Sequence, residues 1–510
     1  MAVQKGGMLN ASARDGVQYR KASIMQLVLG MANNGCGITF YLLMIYASYI
    51  GTQGYGMVPG LVGGILMAMR IFDGVTDALI ATAFEKMSPK LPKVRIFLIS
   101  GWVLASLGVL LLYNWAAGKF TGVAGIIVFI IVYVLYIMGY TINGMGGGTV
   151  GIMITNDPTQ RSMVGLLSTA YSYLVPMLVG NIMAFLILPK HDNQYDMPCL
   201  AEACWLYVAI SGVFMILCCI GVSKVDVPEM YEALAVSDGN KPKDGKKKKS
   251  GVTFKDIVAV LKDNRETQMY MLTCISDKFA QQMGTQAVIT TLLSGVLIGN
   301  YQAAQMIGNA TMVVGLVCAF TGGVFVARFG AKKSTTVWSW ASIALGIIMI
   351  VFCTILGPKG MSKIGAWGLP LILYCVLQIG FTATRMILTI TGNVMRADVV
   401  DYELDRSGNY FPAVLAGVYN FIDKLITSVC SLIAGILIMV IGYVNTVPQQ
   451  GDTPTWPILF MAVGVSVGLP IIGWLINVVC MKFYSLDKER MVQVAKNINE
   501  KKKEAQAAQQ

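Results

Sequence analysis

The sequence predicts an all-α polytopic membrane protein with twelve transmembrane helices in two six-helix bundles. Of its 510 residues, 55% are hydrophobic and only 13% charged, a balance outside the range of water-soluble domains. Apolar runs of about 20 residues, long enough to cross a bilayer, recur from Ile24 to Val478 with mostly short gaps. The longest polar stretch, Lys224 to Gln268, separates six runs from six. Lipid satisfies no peptide group, so each run must be a helix.

The expected spans are 22–50, 56–84, 96–114, 123–154, 163–188 and 205–223, then 269–297, 301–327, 336–356, 366–395, 413–442 and 456–481. They divide the chain into a tail (1–21), an N-terminal bundle (22–223), a linker (224–268), a C-terminal bundle (269–481) and a second tail (482–510). Lys246, Lys247, Lys248 and Lys249 lie in the linker beside Gly and Ser, the composition of a solvated, flexible segment. The first span ends in no cleavage pattern and is read as retained.

Positive charge sets the orientation. Placing the termini and linker on one side puts Lys86, Lys90, Lys93, Arg95, Arg161, Arg328, Lys332, Lys333, Arg396 and Arg406 there too, against Lys119, Lys190, Lys359 and Lys363 opposite. The richer side is cytoplasmic, so a multi-pass protein of the cell (inner) membrane with both termini cytoplasmic is expected. The net charge of +12 is then a topology signal and calls for no nucleic acid; the partner is the lipid bilayer, whose anionic headgroups a basic linker can touch. A short basic turn follows both the second span (Lys86 to Arg95) and the eighth (Arg328 to Lys333). This repetition suggests two related bundles about an axis along the membrane normal, with a cavity between them.

The cysteines form no metal-ligand pattern, and most lie in apolar runs as small hydrophobes. Cys199 and Cys204 both fall in an expected outside loop and can pair in an oxidising compartment. His191, the one histidine, lies in that loop as well, which leaves the spans without imidazole chemistry. With no nucleophile beside a recognisable base, there are no catalytic residues and the chain is not expected to be an enzyme.

A charge at mid-bilayer costs about 2.5 to 3.5 kcal/mol on insertion scales, so each one needs a partner, water or a function. The second span holds Arg70, Asp73 and Asp77. A spacing of four puts both carboxylates on one helix face, where their repulsion makes a site for sodium, lithium or a proton. The alternative is that Arg70 neutralises Asp73 permanently. Asp277 and Lys278 lie in the seventh span, Arg385 in the tenth, and Asp423 and Lys424 in the eleventh. Lys424 is a candidate mobile counter-ion to the acidic pair, while Asp423 either bridges to a neighbouring span or serves the site. Asp277 and Lys278 either line the cavity or bridge helices. Thr141 and Asn143, in the glycine-rich fourth span, offer oxygen ligands to a hard cation. Asn33, Asn34 and Tyr41 in the first span can bind a polyhydroxylated substrate. Interhelical hydrogen bonding is the equal alternative for these polar residues.

Three stretches resemble the glycoside/pentoside/hexuronide cation symporters, the melibiose permease group of the major facilitator superfamily. Arg70-Ile71-Phe72-Asp73 through Asp77 is similar to that family's helix II cation motif. Ala397-Asp398-Val399-Val400-Asp401-Tyr402 resembles its segment between helices X and XI, and the same register reaches Lys424, which matches a helix XI lysine. Tyr140-Thr141 resembles a helix IV pair whose threonine serves the cation. The resemblance implies a major facilitator fold, cation binding by Asp73, Asp77, Thr141 and Lys424, and no cofactor beyond the transported sodium, lithium or proton. It also implies symport of a small-molecule sugar, glycoside or uronide with a monovalent cation by alternating access. The family's sugar-binding charges are replaced by Gly35, Gly144 and Thr169. A galactoside is therefore not assumed; Asn33, Asn34, Tyr41, Asn143 and Arg385 are the substrate-site candidates. The rival expectation is a major facilitator transporter of a non-sugar solute or lipid.

Overall fold

The computed structural model describes residues 9–12, 18–88, 90–155, 158–228, 264–407 and 412–507. The N-terminal tail carries an antiparallel pair, β1 (Leu9–Ser12) and β2 (Gln18–Lys21), in which Leu9 faces Lys21 and Ser12 faces Gln18. The first span follows in three pieces, α1 (Ile24–Gly30), α2 (Asn33–Met44) and α3 (Ala47–Gln53). Ser23 starts it with a capping box: its Oγ accepts from the Gln26 N–H at 3.2 Å, and Gln26 Oε1 accepts from the Ser23 N–H at 3.1 Å.

The next five spans are α4 (Pro59–Lys86), α5 (Lys93–Leu110, prolonged by a π-helical turn to Trp115), α6 (Gly122–Ile154), α7 (Pro158–Ile182, continued by π and 3-10 turns to His191) and α8 (Met197–Val222). The seventh span is α9 (Arg265–Gly284) with α10 (Ala287–Thr291) and a π turn to Leu297; α11 (Tyr301–Phe329) and α12 (Ala331–Gly360) are the eighth and ninth. The tenth is α13 (Leu369–Ser407), the eleventh α14 (Pro412–Val440), and the twelfth α15 (Trp456–Val463) with a π turn and α16 (Leu469–Phe483). A last helix, α17 (Lys488–Ala507), occupies the stretch expected as a tail.

Nine of these helical stretches are apolar and long enough to cross a bilayer among the described residues, and α10 with the start of α11 passes the same test only jointly, across a bend of 118° where the seventh span gives way to the eighth. Two of the remaining helices, α4 and α9, carry the intramembrane charges Arg70, Asp73, Asp77, Asp277 and Lys278. They are the polar passes that a solute site requires. Large apolar side chains face outward along the spans, among them Leu79, Ile131, Trp205, Val317, Ile355 and Phe460. In water such a surface would aggregate; in lipid it is the solvated one.

The chain divides into two compact units, the first holding α1 to α8 and the second α9 to α17. Residues 229–263, most of the expected linker, lie outside the described residues. In the first unit α5 and α6 approach most closely, through small residues at matching heights. A Cβ on Gly139 would run into the Ala105 backbone, and one on Gly108 would meet Tyr136 Cα at 2.7 Å. At Gly144, one turn beyond Gly139 and a little more, a Cβ meets nothing within 4 Å. Gly139→Val is therefore expected to cost about 1 to 3 kcal/mol or more by overpacking, and Gly144→Val far less. The thermal midpoints of the two purified variants check this, and equal midpoints would refute it.

Asp226, directly after the sixth span, ties the start of α5. Its wholly buried carboxylate accepts the N–H groups of Val94 (3.3 Å) and Arg95 (2.9 Å) and pairs with Arg95 Nε at 3.2 Å. The sixth span begins at Met197, eight residues earlier than expected, because Asp196 accepts the Cys199 N–H at 2.9 Å and Pro198 sits in the first turn. Cys199 and Cys204 are consequently helix residues, both buried and unpaired with each other. Five positions apart on a helix means about 140° around it, so the outside loop expected to hold both is helix and the pairing left open by the sequence is not made.

In the second unit α13 continues well beyond the 395 expected as its end, so Ala397 to Tyr402 is helical rather than a loop. At 39 residues it is roughly 58 Å long, nearly twice the hydrocarbon thickness. Its far end receives α17: Asn497 Nδ2 donates to Asp405 Oδ2 at 2.9 Å, Arg490 lies over the Tyr402 ring, and Val494 is buried. Lys488 Nζ also donates to the Arg328 carbonyl at 2.9 Å, joining α17 to the last turn of α11.

Candidate functional site

In the first unit, the contact between α4 and α6 brings together two of the residues singled out from sequence. Asp73 is 6% exposed, and its Oδ1 accepts from Thr141 Oγ1 at 2.8 Å. Thr76 Oγ1 donates to the Asp73 carbonyl at 2.9 Å. Asp77, half-buried, follows one turn later.

Arg70 does not salt-bridge Asp73 among the described residues. Its guanidinium lies among Tyr133, Tyr136 and Tyr140 of α6 and Tyr41 of α2. Phe129, Tyr133, Tyr136 and Tyr140 form a ladder with 5.7 Å between successive ring centroids. Phe40 of α2 packs against Tyr136 at 6.3 Å.

The asparagines have other commitments. Asn143 donates through Nδ2 to the Leu98 carbonyl of α5 at 2.9 Å, so its side chain faces α5. Its own carbonyl accepts from Asn33 Nδ2 at 3.4 Å, and Asn33 packs where a Cβ on Gly147 would overlap its amide. Asn34 Nδ2 donates to Ser168 Oγ of α7 at 2.7 Å. These bonds match the interhelical alternative. Of the three places lacking the family's sugar-binding charges, Gly35 is closed by the Phe214 ring, 2.9 Å from any added Cβ. Gly144 is open, and Thr169 Oγ1 donates to the Gly165 carbonyl at 3.0 Å.

In the second unit, Lys278 of α9 pairs with Asp423 of α14 at 2.9 Å, both side chains about a quarter exposed. Asp277 turns the other way, into the field of Arg385 on α13, and accepts weakly from Gln281 Nε2 at 3.5 Å. Adjacent helix positions point about 100° apart, so α9 addresses two neighbours at once. Lys424 is half-buried on α14, and its carbonyl accepts from Ser428 Oγ at 2.6 Å. Beside α9 lies a cavity of about 200 Å³ lined by Asp277, Lys278, Gln281, Asn393, Arg396 and Tyr419 among others.

The family model for MFS/sugar transport proteins matches residues 28–488. The chain belongs to the MFS sugar transport family. The transporter is 22% identical to the putative glycoside/cation symporter YagG of Escherichia coli, covering 92% of this chain and 93% of that one. It is 21% identical to the uncharacterized symporter YjmB of Bacillus subtilis, over 92% and 94%. To the glucuronide carrier protein homolog of Escherichia coli it is 19% identical, over 94% and 96%. Among solved structures it resembles the nucleoside transporter NupG, with a TM-score of 0.56 at 12% identity over 91% of this chain and 100% of that one. That likeness bears on the fold alone.

Arg396 is the transporter's unforeseen residue. By its position near the end of an apolar run, it reads as one of the positive charges that set topology. Because α13 continues past it, it lines the cavity instead, with its guanidinium 5.4 Å from the Tyr419 ring centroid. No local sequence signal marks it, since Tyr419 belongs to the next span.

Proposed function

We propose that this protein is a secondary active transporter that moves a sugar or glycoside together with sodium, lithium or a proton by alternating access of its two bundles. The observation that carries this is the buried Asp73–Thr141 contact, with Asp77 one turn along the same helix. Two carboxylates on one face repel, and a monovalent cation or proton relieves that repulsion. The threonine hydroxyl supplies a further neutral oxygen ligand of the kind hard cations take. Lys424 is kept as the counter-charge that the family resemblance implies.

Tyr41 and Arg385 are retained as substrate contacts, whereas the bonds of Asn33, Asn34 and Asn143 favour a packing role. The cycle uses no cofactor besides the coupling ion and performs no covalent chemistry. Both termini lie in the cytoplasm by the charge asymmetry of the loops.

Uptake of labelled glycosides into proteoliposomes under imposed sodium or proton gradients tests the reading. Accumulation that follows one gradient supports it, and equilibration indifferent to either gradient rejects coupling. Lys424→Gln is expected to change ion preference, or to lower the uptake rate about 10-fold; an unaltered ion dependence would remove Lys424 from the site.

A further inference from the structure

The basic turn between α11 and α12 is more than a run of positive charge. α11 ends at Phe329, Gly330 turns the chain with a φ of 82°, and α12 begins at Ala331. The Arg328 guanidinium lies over the Phe329 ring, 5.5 Å from its centroid, and Lys333 Nζ lies over the same ring at 5.4 Å. Phe325 packs against Phe329 at 4.6 Å and meets Trp338 of α12 edge-on at 5.5 Å, which fixes the ring that the two cations share. Lys488 joins them from the start of α17. A Cβ on Gly330 would lie 3.0 Å from Lys488 Cβ, and Lys488 Nζ donates to the Arg328 carbonyl at 2.9 Å.

Arg328, Lys333 and Lys488 form no ion pair among the described residues. Of the carboxylates beside Lys488 in the chain, Asp487 caps α17 by accepting the Arg490 N–H at 2.9 Å, and Glu489 is exposed. The charge asymmetry of the loops accounts for cations on this side of the membrane. It does not account for two of them gathered over one ring. An aromatic face holds a cation without neutralising it, so the charges are brought together and left to repel until an anion enters.

The neighbouring side chains show what the corner faces. Val324, one turn before Arg328, is 71% exposed; Val337, one turn after Lys333, is 45% exposed, and Trp340 53%. On spans in a bilayer these are lipid-facing positions, and tryptophan favours the boundary of the hydrocarbon. The helix rise puts Lys333 about 6 Å beyond Val337 and about 10 Å beyond Trp340, the depth of the headgroup layer. None of the three cations lines the cavity beside α9.

We propose that Arg328, Lys333 and Lys488, gathered around Phe329, form a binding site for the headgroup of an anionic phospholipid, the phosphodiester lying among the three cations and the acyl chains running along Val324, Val337 and Trp340. The site is separate from the residues assigned to cation and solute, and it stands whatever solute the chain carries.

The test uses the purified full-length protein in detergent with three probes: dioleoyl phosphatidylglycerol, dioleoyl phosphatidylcholine and inorganic phosphate. Retained lipid is counted by native mass spectrometry, and affinity is read from the shift in thermal midpoint as each probe is titrated. Phosphatidylglycerol is expected to bind at least about 10-fold more tightly than phosphatidylcholine. A basic residue near an anionic lipid surface contributes about 5-fold, so Arg328→Gln with Lys333→Gln should lower phosphatidylglycerol affinity about 10- to 30-fold. Arg328→Lys should stay within about 3-fold of wild type. Lys363→Gln, the same change of charge in the exposed turn beyond the other end of α12, should stay within about 2-fold. Equal binding of the two lipids by wild type, a preference that survives the double replacement, or an equal loss in Lys363→Gln would each overturn the site. Inorganic phosphate that binds as tightly as phosphatidylglycerol, or displaces it at equal concentration, would make this a site for free phosphate and overturn the lipid assignment. If the double variant does not fold, Lys333→Gln alone decides: a loss of about 5-fold supports the site, and wild-type affinity rejects it.

Discussion

Replacing Asp73 by asparagine abolishes gradient-driven accumulation while the protein still reaches the membrane and purifies as a folded species. Asparagine keeps the size of the side chain and can still accept from Thr141, so the 2.8 Å contact survives in outline. What is lost is the negative charge, in a place only 6% exposed where water replaces little of it. Cation affinity should fall at least about 100-fold, which corresponds to about 2.7 kcal/mol. Asp77→Asn should behave alike, because the site depends on both charges. Thr141→Ala should weaken cation binding less, by about 1 kcal/mol, the scale of one hydrogen bond. Counterflow, which needs no gradient, combined with cation titration of solute affinity, separates loss of coupling from loss of fold. An Asp73→Asn variant that accumulates solute with wild-type cation dependence would remove this residue from the mechanism.

The second large effect concerns the bridge between α9 and α14. Asp423→Ala strands Lys278 within a span, and breaking a buried pair from one side costs about 3 to 5 kcal/mol. Both partners are about a quarter exposed, so solvent screening lowers the figure to about 1 to 3 kcal/mol. Lys278→Ala should destabilise similarly. The double replacement should recover at least about 1 kcal/mol of the summed loss, since neither charge is then left unpaired. Thermal midpoints of the four proteins complete the cycle, and strictly additive losses would show that the pair contributes no mutual stabilisation. Lys278 also lines the cavity, so the single variants should differ in solute affinity where they match in stability.

The acidic pair was legible because it is local. A spacing of four residues puts Asp73 and Asp77 on one face whatever surrounds the helix, and two carboxylates in an apolar run stand out. Most of the apolar passes were legible for the same reason, as hydropathy sums along the chain, and nine of the helical stretches among the described residues carry that signal in full. Start signals were read less well: Asp196 with Pro198 begins α8 at Met197, and that early start turns two loop cysteines into helix residues on different faces.

Partnerships across helices were another matter. Asn33, Asn34 and Asn143 suit a sugar site or an interhelical bond equally well until the neighbour is known, and the tertiary structure gives each an interhelical partner. The sequence leaves open whether Lys278 faces a cavity or a bridge, and its contact with Asp423 on another span makes it both.

Residue order alone determines that this chain lives in lipid, how often it crosses, and which span carries the paired carboxylates. These follow from transfer free energies and helix period, which need no knowledge of neighbours. The tertiary structure alone decides that Thr141 reaches Asp73, that Arg70 settles among tyrosines, and that Arg396 lies over the Tyr419 ring at the wall of a cavity. Each of these depends on which helix faces align, and that is set by packing across the bundle rather than by any one stretch of sequence.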